Sequence, residues 1–536
     1  MSQQDITADF VATTFTATKS AIAKTQFISQ LAEIEQRHPN LINEQIIDAV
    51  IDFVLKEQLK DRQAMDPIPT VNELGVVFGM RRDLAEATLN KVPQLILSIK
   101  AKVRWNPPLL LPYALLHAAV SADSSLANRE VVKLLLEGPP EGAAAIKSWS
   151  ESVKLLIVQR SDLFTDEDLV AIAKLTAVFS DSRSESQKAK SPIFTMILEG
   201  RPDLAAALWK SILPEYIRYP DGYSWAAQEI IKKHPDVIST EELHQILDTR
   251  KGNNRPPYSL LPTITEHASG VFDEAVAVKL AGLLLQYPDS NYQETRHMDE
   301  LLAKRPEFGA AVFAEIEQKF DLNNIGEDFA LKRAGLHLFE SVLQHAPTAI
   351  TVEFVKNLAG LVMDYRGSHQ WSYHGDYRNQ YFGDLLLKDI LTQRPDLIDP
   401  AYEILTEPSA FRRKTKAEQT RIMRAGSFEH FDVLLEVATL KPELAKAVLG
   451  LIQKCHTRSL RNLRRYLHVA KLAVIDPKLL RVATSILSTA ELKDGYDGES
   501  IYLAYKHMLN AQPSFGDADY IQNAVRKAAT TKDDYL

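Results

Sequence analysis

The four residues Arg394-Pro395-Asp396-Leu397 lie between two segments with regularly spaced apolar residues, and they suggest how the whole chain folds. Proline is favoured at the first position of a helix, where its missing N–H would have no partner. The acid after the proline suits the positive end of a new helix, and the base before it suits the negative end of the preceding one. These residues therefore predict a junction at which one helix ends and the next begins.

The same junction recurs along most of the chain. Clear copies are Arg201-Pro202-Asp203-Leu204, Arg305-Pro306-Glu307-Phe308 and Lys441-Pro442-Glu443-Leu444, and Arg160-Ser161-Asp162-Leu163 is a version without proline. The junctions are centred near residues 39, 82, 122, 161, 202, 235, 268, 306, 347, 395, 442, 477 and 513. Their mean spacing is about 40 residues, which is the period of solenoids built from helix pairs.

The segments after the junctions carry apolar residues on one helical face. Their spacing of i, i+4 and i+8 is that of a helix with one buried side. Leu208, Val312 and Val448 are the central residues of three such stripes, and we expect them to be buried. Ser239 and Glu242 have the spacing of a capping box and predict another helix start.

These patterns predict an all-α fold, namely an α-solenoid, or superhelix, of about 12 antiparallel helix-pair repeats of roughly 40 residues each. The short junctions make consecutive helices antiparallel neighbours. Strand signals are missing, because no β-branched run is bounded by Asn-Gly or Asp-Gly turns. The alternative fold is a large irregular helical domain in which prolines merely start helices.

In period and helix-pair layout, the sequence resembles the HEAT/armadillo superfamily. The resemblance covers the architecture only, because these prolines stand at helix starts rather than inside a kinked first helix. It implies a helical repeat fold, and it carries over no functional residues to this chain.

The repeat pattern predicts one continuous helical domain over residues 25–530, without an interdomain linker. Residues 1–24 are rich in serine, threonine and alanine, and they predict a flexible or weakly helical lead-in. Residues 531–536 are a short polar tail, and the polar residues 179–192 predict an exposed loop within one repeat.

The composition is that of an ordinary water-soluble chain, with 45% hydrophobic and 25% charged residues. A net charge of −8 argues against a surface that is basic throughout. Cys455 is the only cysteine, which excludes an intrachain disulfide and a multi-cysteine metal site. The sequence has no classical signal peptide and no apolar run of about 18 residues. We therefore expect a cytoplasmic protein without a membrane span, and non-classical secretion stays open.

The motifs of common enzymes are missing from the sequence. It has no P-loop, G-x-G-x-x-G, H-E-x-x-H or G-x-S-x-G motif. This favours a non-enzymatic protein and gives no reason to expect a cofactor or a metal. An enzyme with an unrecognised site built on loops stays an alternative.

Residues 363–384, MDYRGSHQWSYHGDYRNQYFGD, stand out because six of these 22 residues are aromatic, against 8% in the chain. The segment lies between the two helices of one repeat, and Tyr, Trp and Arg anchor many binding interfaces. The residues predicted to bind a protein or peptide partner are Tyr365, Arg366, Trp371, Tyr373, Tyr377 and Arg378.

Two other interpretations of this segment stay open. The rings could pack back onto the repeats, or His369 and His374 could serve a metal or catalysis, although two histidines alone are a weak metal signal. Residues 216–225, YIRYPDGYSW, are a smaller aromatic segment of the same kind.

Two strongly basic segments follow in successive repeats. Residues 411–424 carry six basic side chains against one acid, and residues 454–471 carry six with no acid. Because equivalent parts of neighbouring repeats stack, we expect one positive patch that binds nucleic acid or another anionic ligand. A solvated helix face is the alternative. The predicted anion-binding residues are Arg412, Arg413, Lys414, Arg461, Arg464 and Arg465.

Helical solenoids expose long surfaces that are suited to binding. The sequence therefore favours a non-enzymatic scaffold or adaptor, which binds a protein or peptide partner through that surface and the aromatic segment. A nucleic-acid or other polyanion binder is the second interpretation. The sequence does not indicate the oligomeric state.

Overall fold

A computed structural model describes most of the chain as α-helices joined by short turns. Over the described ranges no strand is present, and no helix there is long and apolar enough to cross a bilayer. The described residues are 7–60, 66–103, 109–140, 143–178, 185–249, 258–287, 295–320, 329–363, 382–406, 429–454, 463–488, 496–519 and 521–526.

The α-helices are numbered in chain order. They are α1 (Ala8–Ala17), α2 (Ala21–Ile28), α3 (Leu31–Arg37), α4 (Glu44–Lys60), α5 (Ile68–Met80), α6 (Arg82–Lys102), α7 (Leu110–Ala122), α8 (Arg129–Leu136), α9 (Ala143–Gln159), α10 (Asp166–Ala177), α11 (Glu185–Gly200), α12 (Ala205–Arg218), α13 (Pro220–Lys233), α14 (Thr240–Asp248), α15 (Leu261–His267), α16 (Glu274–Gln286), α17 (Arg296–Lys304), α18 (Gly309–Lys319), α19 (Phe329–His345), α20 (Val352–Met363), α21 (Phe382–Gln393), α22 (Ile398–Leu405), α23 (Glu429–Leu440), α24 (Ala445–Lys454), α25 (Leu463–Ile475), α26 (Leu480–Ser488) and α27 (Tyr496–Ala511).

Short 3₁₀ turns separate most of the helix pairs. The junction turns are Ser124–Leu126, Ser161–Leu163, Pro202–Leu204, Pro235–Val237, Ser269–Val271, Pro306–Phe308, Pro347–Ala349, Pro395–Leu397, Pro442–Leu444, Pro477–Leu479 and Pro513–Asp517.

Twelve helix pairs follow one another in the described residues, from α4/α5 as repeat one to α26/α27 as repeat twelve. A 3₁₀ turn or a break between helices lies at every junction that the sequence predicted. In each repeat the first helix leaves a junction, and the second helix returns to the next junction. The all-α solenoid of antiparallel helix pairs is therefore confirmed.

The apolar stripes form the core, as the sequence predicted. Leu208, Val312 and Val448 are each 0% exposed. The capping box is also present, because Ser239 N donates to Glu242 Oε2 (2.9 Å) and Glu242 N donates to Ser239 Oγ (3.2 Å).

The chain forms two compact units, residues 1–242 with 259–268 and residues 243–258 with 269–536. Repeats one to five lie in the first unit, and repeats seven to twelve lie in the second. Repeat six is divided, because α15 belongs to the first unit and most of α14 belongs to the second.

The expectation of an exposed loop over residues 179–192 is wrong for its second half. Helix α11 begins at Glu185 and continues through Pro192 to Gly200. Ile193, Phe194 and Ile197 are buried, and their burial favours the helix despite the internal proline. Residues 179–184 lie outside the described residues.

Candidate functional site

The junction edge of the stack is held together by arginines. At Pro395, Arg394 Nε and Nη2 donate to Asp396 (2.8 and 2.6 Å), and Nη1 donates to the carbonyl oxygens of Pro347 (2.7 Å) and Ile350 (3.2 Å). The base stands at the C-terminal end of the preceding helix, as the sequence predicted, but its side chain makes contacts that the sequence did not indicate. The planar guanidinium group carries several N–H donors, so it can bind the acid of its own junction and the backbone carbonyls of the preceding junction at the same time.

The same contact recurs, and we call it the arginine hook: an arginine at a junction that donates through Nη1 to backbone carbonyls of the preceding junction. In three of the four hooks the acceptors include the carbonyl oxygens of the first residue of the earlier turn and of the residue three positions later, and the Arg81 hook has one backbone acceptor, Ile42 O. The hooks are Arg81 to Ile42, Arg160 to Ser124 and Ala127, Arg305 to Ser269 and Phe272, and Arg394 to Pro347 and Ile350, at 2.7 to 3.2 Å.

Each hook arginine also pairs with an acid two residues later. This pairing lowers the pKa of Asp83, Asp162, Glu307 and Asp396, because the guanidinium donates hydrogen bonds to the charged carboxylate. The acid thus fixes the direction of the arginine side chain at the junction.

The junctions are of two kinds, and the difference explains where hooks occur. In an interrupted junction an extended residue such as Ala127 or Ile350 separates the turn from the next α-helix, so backbone carbonyls stay available. In a continuous junction the α-helix follows the turn directly, as at Ala205 or Gly309. The corresponding backbone carbonyls then accept hydrogen bonds within the helix. Within the described residues, the four hooks all reach interrupted junctions.

At the opposite edge of the repeats, first helices end and second helices begin, and in the sequence the predicted functional segments fall between such helix ends. Helix α20 ends at Met363 and α21 begins at Phe382, α22 ends at Leu405 and α23 begins at Glu429. Helix α24 ends at Lys454 and α25 begins at Leu463. The aromatic and basic segments thus belong to consecutive repeats nine, ten and eleven.

Most predicted site residues lie outside the described residues. Arg464 and Arg465 fall in the first turn of α25, with side chains that are not described. The residues outside the described ranges are Tyr365, Arg366, His369, Trp371, Tyr373, His374, Tyr377, Arg378, Arg412, Arg413, Lys414, Cys455 and Arg461.

The smaller aromatic segment, residues 216–225, is largely packed into the repeats. Tyr216 is 0% exposed, and its hydroxyl lies 3.0 Å from Ser259 Oγ. Tyr223 is buried, and the Trp225 ring lies 5.4 Å from that of Phe194. Only Tyr219 is half exposed, because it is the single residue between α12 and α13.

A column of titratable side chains crosses the second helices of repeats nine to twelve, and the sequence interpretation missed it. Asp389, Glu436, Lys471 and His507 each stand six residues before a junction proline. Burial raises the pKa of Asp389, and the carboxylates of Glu340 and Glu436 raise it further. Aligning the second helices by their distance from the next junction proline would have revealed this column in the sequence.

A shallow open groove of about 620 Å³ lies between α11 and α13, lined by Pro192, Met196 and Trp225 among others. Its charged lining residue, Glu199, is already paired with Lys233 at 2.5 Å. The groove therefore favours no particular ligand.

A serine, a histidine and a glutamate lie together on α7 and α9. Ser121 Oγ and Glu151 Oε2 both lie 3.5 Å from the same nitrogen, Nε2 of His117. In nucleophilic catalysis the base uses its two ring nitrogens for the nucleophile and the carboxylate. Because both partners lie at the same ring nitrogen, this group does not have the arrangement of a catalytic triad. Across the described ranges, no group of three or more His, Cys, Asp or Glu side chains could hold a metal.

No family model matches this sequence, and no curated protein matches it. Among solved structures, S. cerevisiae Exo70 aligns over 97% of this chain and 99% of its own, at 11% identity and a TM-score of 0.18. A similarity of this size supports no conclusion about function.

Proposed function

We propose that this protein is a non-enzymatic scaffold or adaptor that binds a protein or peptide partner. The partner contacts the solenoid surface and the aromatic segment of repeat nine. A cytoplasmic location belongs to the same proposal, because a single cysteine suits a reducing compartment. The proposed contact residues are Tyr365, Arg366, Trp371, Tyr373, Tyr377 and Arg378.

The observation that carries this proposal is the aromatic core of repeats eight and nine. The rings of Phe313, Phe339 and Phe354 contact one another, with centroids 5.0 to 6.0 Å apart. Phe320 adds a fourth ring, 5.7 Å from Phe339. These helices already have a filled aromatic core, which supports a role in binding for the additional Tyr and Trp side chains.

The contrast with repeat five supports the same interpretation. Its aromatic residues flank a one-residue connection at Tyr219, so their positions on α12 and α13 place them in the core. In repeat nine, 18 residues separate the described ends of α20 and α21. Connections of this length are uncommon in compact folds, and they are often functional when they occur.

The proposal predicts that the triple variant Trp371→Ala, Tyr373→Ala and Tyr377→Ala loses partner capture and keeps its melting temperature. Removing three aromatic anchors removes the strongest class of interface contact, while the described core keeps all its rings. The measurement is affinity purification from the native cell, together with thermal denaturation. Tyr219→Ala is the matched control, because it removes a half-exposed ring from another repeat.

Unfolding of the triple variant would contradict the proposal, since the rings would then be packing residues. Capture of the same stoichiometric partner by wild type and triple variant would contradict it as well.

The second candidate function is binding of nucleic acid or another polyanion through Arg412, Arg413, Lys414, Arg461, Arg464 and Arg465. The charge of the two basic segments favours it, because they carry twelve basic side chains against one acid. The same purification separates the two candidates when it includes a nuclease-treated arm and a salt series. Loss of the captured material on nuclease treatment, or a steep loss with salt, identifies the polyanion binder.

A further inference from the structure

The second helices of repeats nine to twelve carry acids in one half and bases in the other. The column formed by Asp389, Glu436, Lys471 and His507, which we call the titratable column, lies on α21, α23, α25 and α27 in that order. Each of these helices packs on the next. Because the axes of packed helices are about 10 Å apart, the column runs from two acids to two bases in steps of about that length.

Side chains of like charge are neighbours in both halves of the column. Burial raises the pKa of Asp389, and so do the carboxylates of Glu340 and Glu436, although Lys388 acts against them. Burial also lowers the pKa of His507, and the ammonium group of Lys471 lowers it further. An opposite charge placed against either half would therefore stabilise it.

The chain does not supply that charge within the described residues. At the same position of repeats five and seven, Glu229 pairs with Lys232 (3.2 Å) and Glu300 pairs with Arg296 (3.2 Å). No residue three or four positions from any member of the titratable column carries the opposite charge. In the described part of the chain none of the four members makes an ion pair, and none of the four is buried.

Opposite charges do meet one turn earlier on two of these helices. His468 Nε2 on α25 lies 2.6 Å from Asp432 Oδ1 on α23. Glu436 and Lys471 follow on the same two helices and do not form such a pair, so both stay available to a partner.

The order acid, acid, base, base is complementary to itself. A two-fold axis between α23 and α25 would set the column against its own reverse, as in an isologous dimer interface. Glu436 of each copy would then face Lys471 of the other copy, and Asp389 would face His507. Every acid would thereby gain a base, and every contact would form twice.

The face that carries the column is large enough for a dimer. Helix α23 has 12 residues and α25 has 13, which makes each of them about 18–20 Å long. Four such helices about 10 Å apart form a face of roughly 700 Å², and a standard interface buries about 800 Å² on each partner. The residues one turn after the column are uncharged and would not oppose this contact: Thr392, Thr439, Val474 and Asn510.

We propose that this protein forms a two-fold symmetric dimer through the second helices of repeats nine to twelve, in which Glu436 binds Lys471 and Asp389 binds His507 of the second copy. The dimer is separate from the proposed scaffold function, because its partner is another copy of the chain and it does not use the aromatic segment.

Analytical ultracentrifugation of the full chain tests the dimer. The wild type should be a dimer at low salt, and its dissociation constant should rise with added salt. Lys471→Glu should weaken the dimer by about a hundredfold, because two contacts between like charges replace two ion pairs. Lys446→Glu is the matched control and should leave the dimer unchanged, because this exposed lysine lies on α24, the first helix of the same repeat.

An exchange of charges between two variants tests the register of the interface. The variant with Asp389→Lys and Glu436→Lys and the variant with Lys471→Glu and His507→Glu should each be monomers, because each column then has charges of one sign. When mixed, they should form a one-to-one heterodimer, since every contact again joins opposite charges. Circular dichroism checks that each variant is folded.

A wild type that stays monomeric at low salt would overturn the proposal. So would a folded Lys471→Glu variant that dimerises as tightly as the wild type, or a dimer that is lost in the triple variant of Trp371, Tyr373 and Tyr377. If the charge reversals do not fold, Lys471→Gln removes the same charge without adding another. It should weaken the dimer by about tenfold, and an unchanged dissociation constant would contradict the interface.

Discussion

At the scale of single residues, buried apolar side chains and arginine hooks are among the contacts that hold the repeats together. The hooks depend on pH through their acids. Because Arg394 lowers the pKa of Asp396, the charged pair stabilises the fold above the ordinary pKa of the carboxyl. This contribution is lost as the pH falls through the lowered pKa.

We predict that Leu208→Ala lowers the free energy of unfolding by about 2–5 kcal/mol, because the side chain is 0% exposed and its loss leaves a cavity. Urea denaturation measures the change. Leu97→Ala is the control, since Leu97 is 57% exposed and its loss creates no cavity. Equal destabilisation by the two variants would contradict the predicted core register.

At the scale of helices, close approach between neighbouring elements depends on small residues. Gly309 begins α18 and faces Ala346 at the next junction, where a Cβ would lie 2.1 Å from the Ala346 Cβ. Gly335 in α19 lies under the ring of Phe320, whose nearest atom would be 2.3 Å from a Cβ. Gly360 in α20 has no such neighbour within 4 Å.

The same substitution should therefore have opposite effects at two helical glycines. Gly335→Ala should lower the free energy of unfolding by about 1–3 kcal/mol, because the Phe320 ring must move within a packed core. Gly360→Ala should be neutral or stabilise by about 0.5–1 kcal/mol, because alanine restricts the unfolded chain. Thermal and urea denaturation compare the two variants. A stabilising effect at Gly335 would mean that the helices are not closely packed there.

The helix pairs could be predicted from the sequence because their signals are local. A proline at a helix start and apolar residues at i, i+4 and i+8 lie within a dozen residues of each other. The hooks could not be predicted from the sequence, because Arg394 and its acceptor Pro347 are 47 residues apart. The burial of Tyr216 could not be predicted either, because its hydroxyl contacts Ser259, which is 43 residues away.

At the scale of the whole molecule, the stack needs an end that covers its apolar face. The helix α1 packs on α4 of the first repeat, and the Phe15 ring lies 6.2 Å from that of Phe53. Lys24 of α2 lies 4.9 and 5.3 Å from the centroids of these two rings. These N-terminal helices therefore close the first repeat.

We predict that deletion of residues 1–19 lowers the melting temperature and promotes self-association, because it removes Phe15 and uncovers the Phe53 ring. Deletion of residues 1–6 is the control and should change neither property. Thermal denaturation and size-exclusion chromatography measure the two effects. An unchanged melting temperature and association state after the longer deletion would show that α1 does not protect the first repeat.

The direction of the arginine hooks has a consequence for biosynthesis. All four donate toward the N-terminus, from Arg81 to Ile42, from Arg160 to Ser124, from Arg305 to Ser269 and from Arg394 to Pro347. A ribosome releases the chain from its N-terminus, so the acceptor carbonyls of every hook are already outside when their arginine emerges. A repeat that ends in a hook arginine can therefore bind to the preceding junction as soon as it is synthesised, without waiting for the repeats that follow.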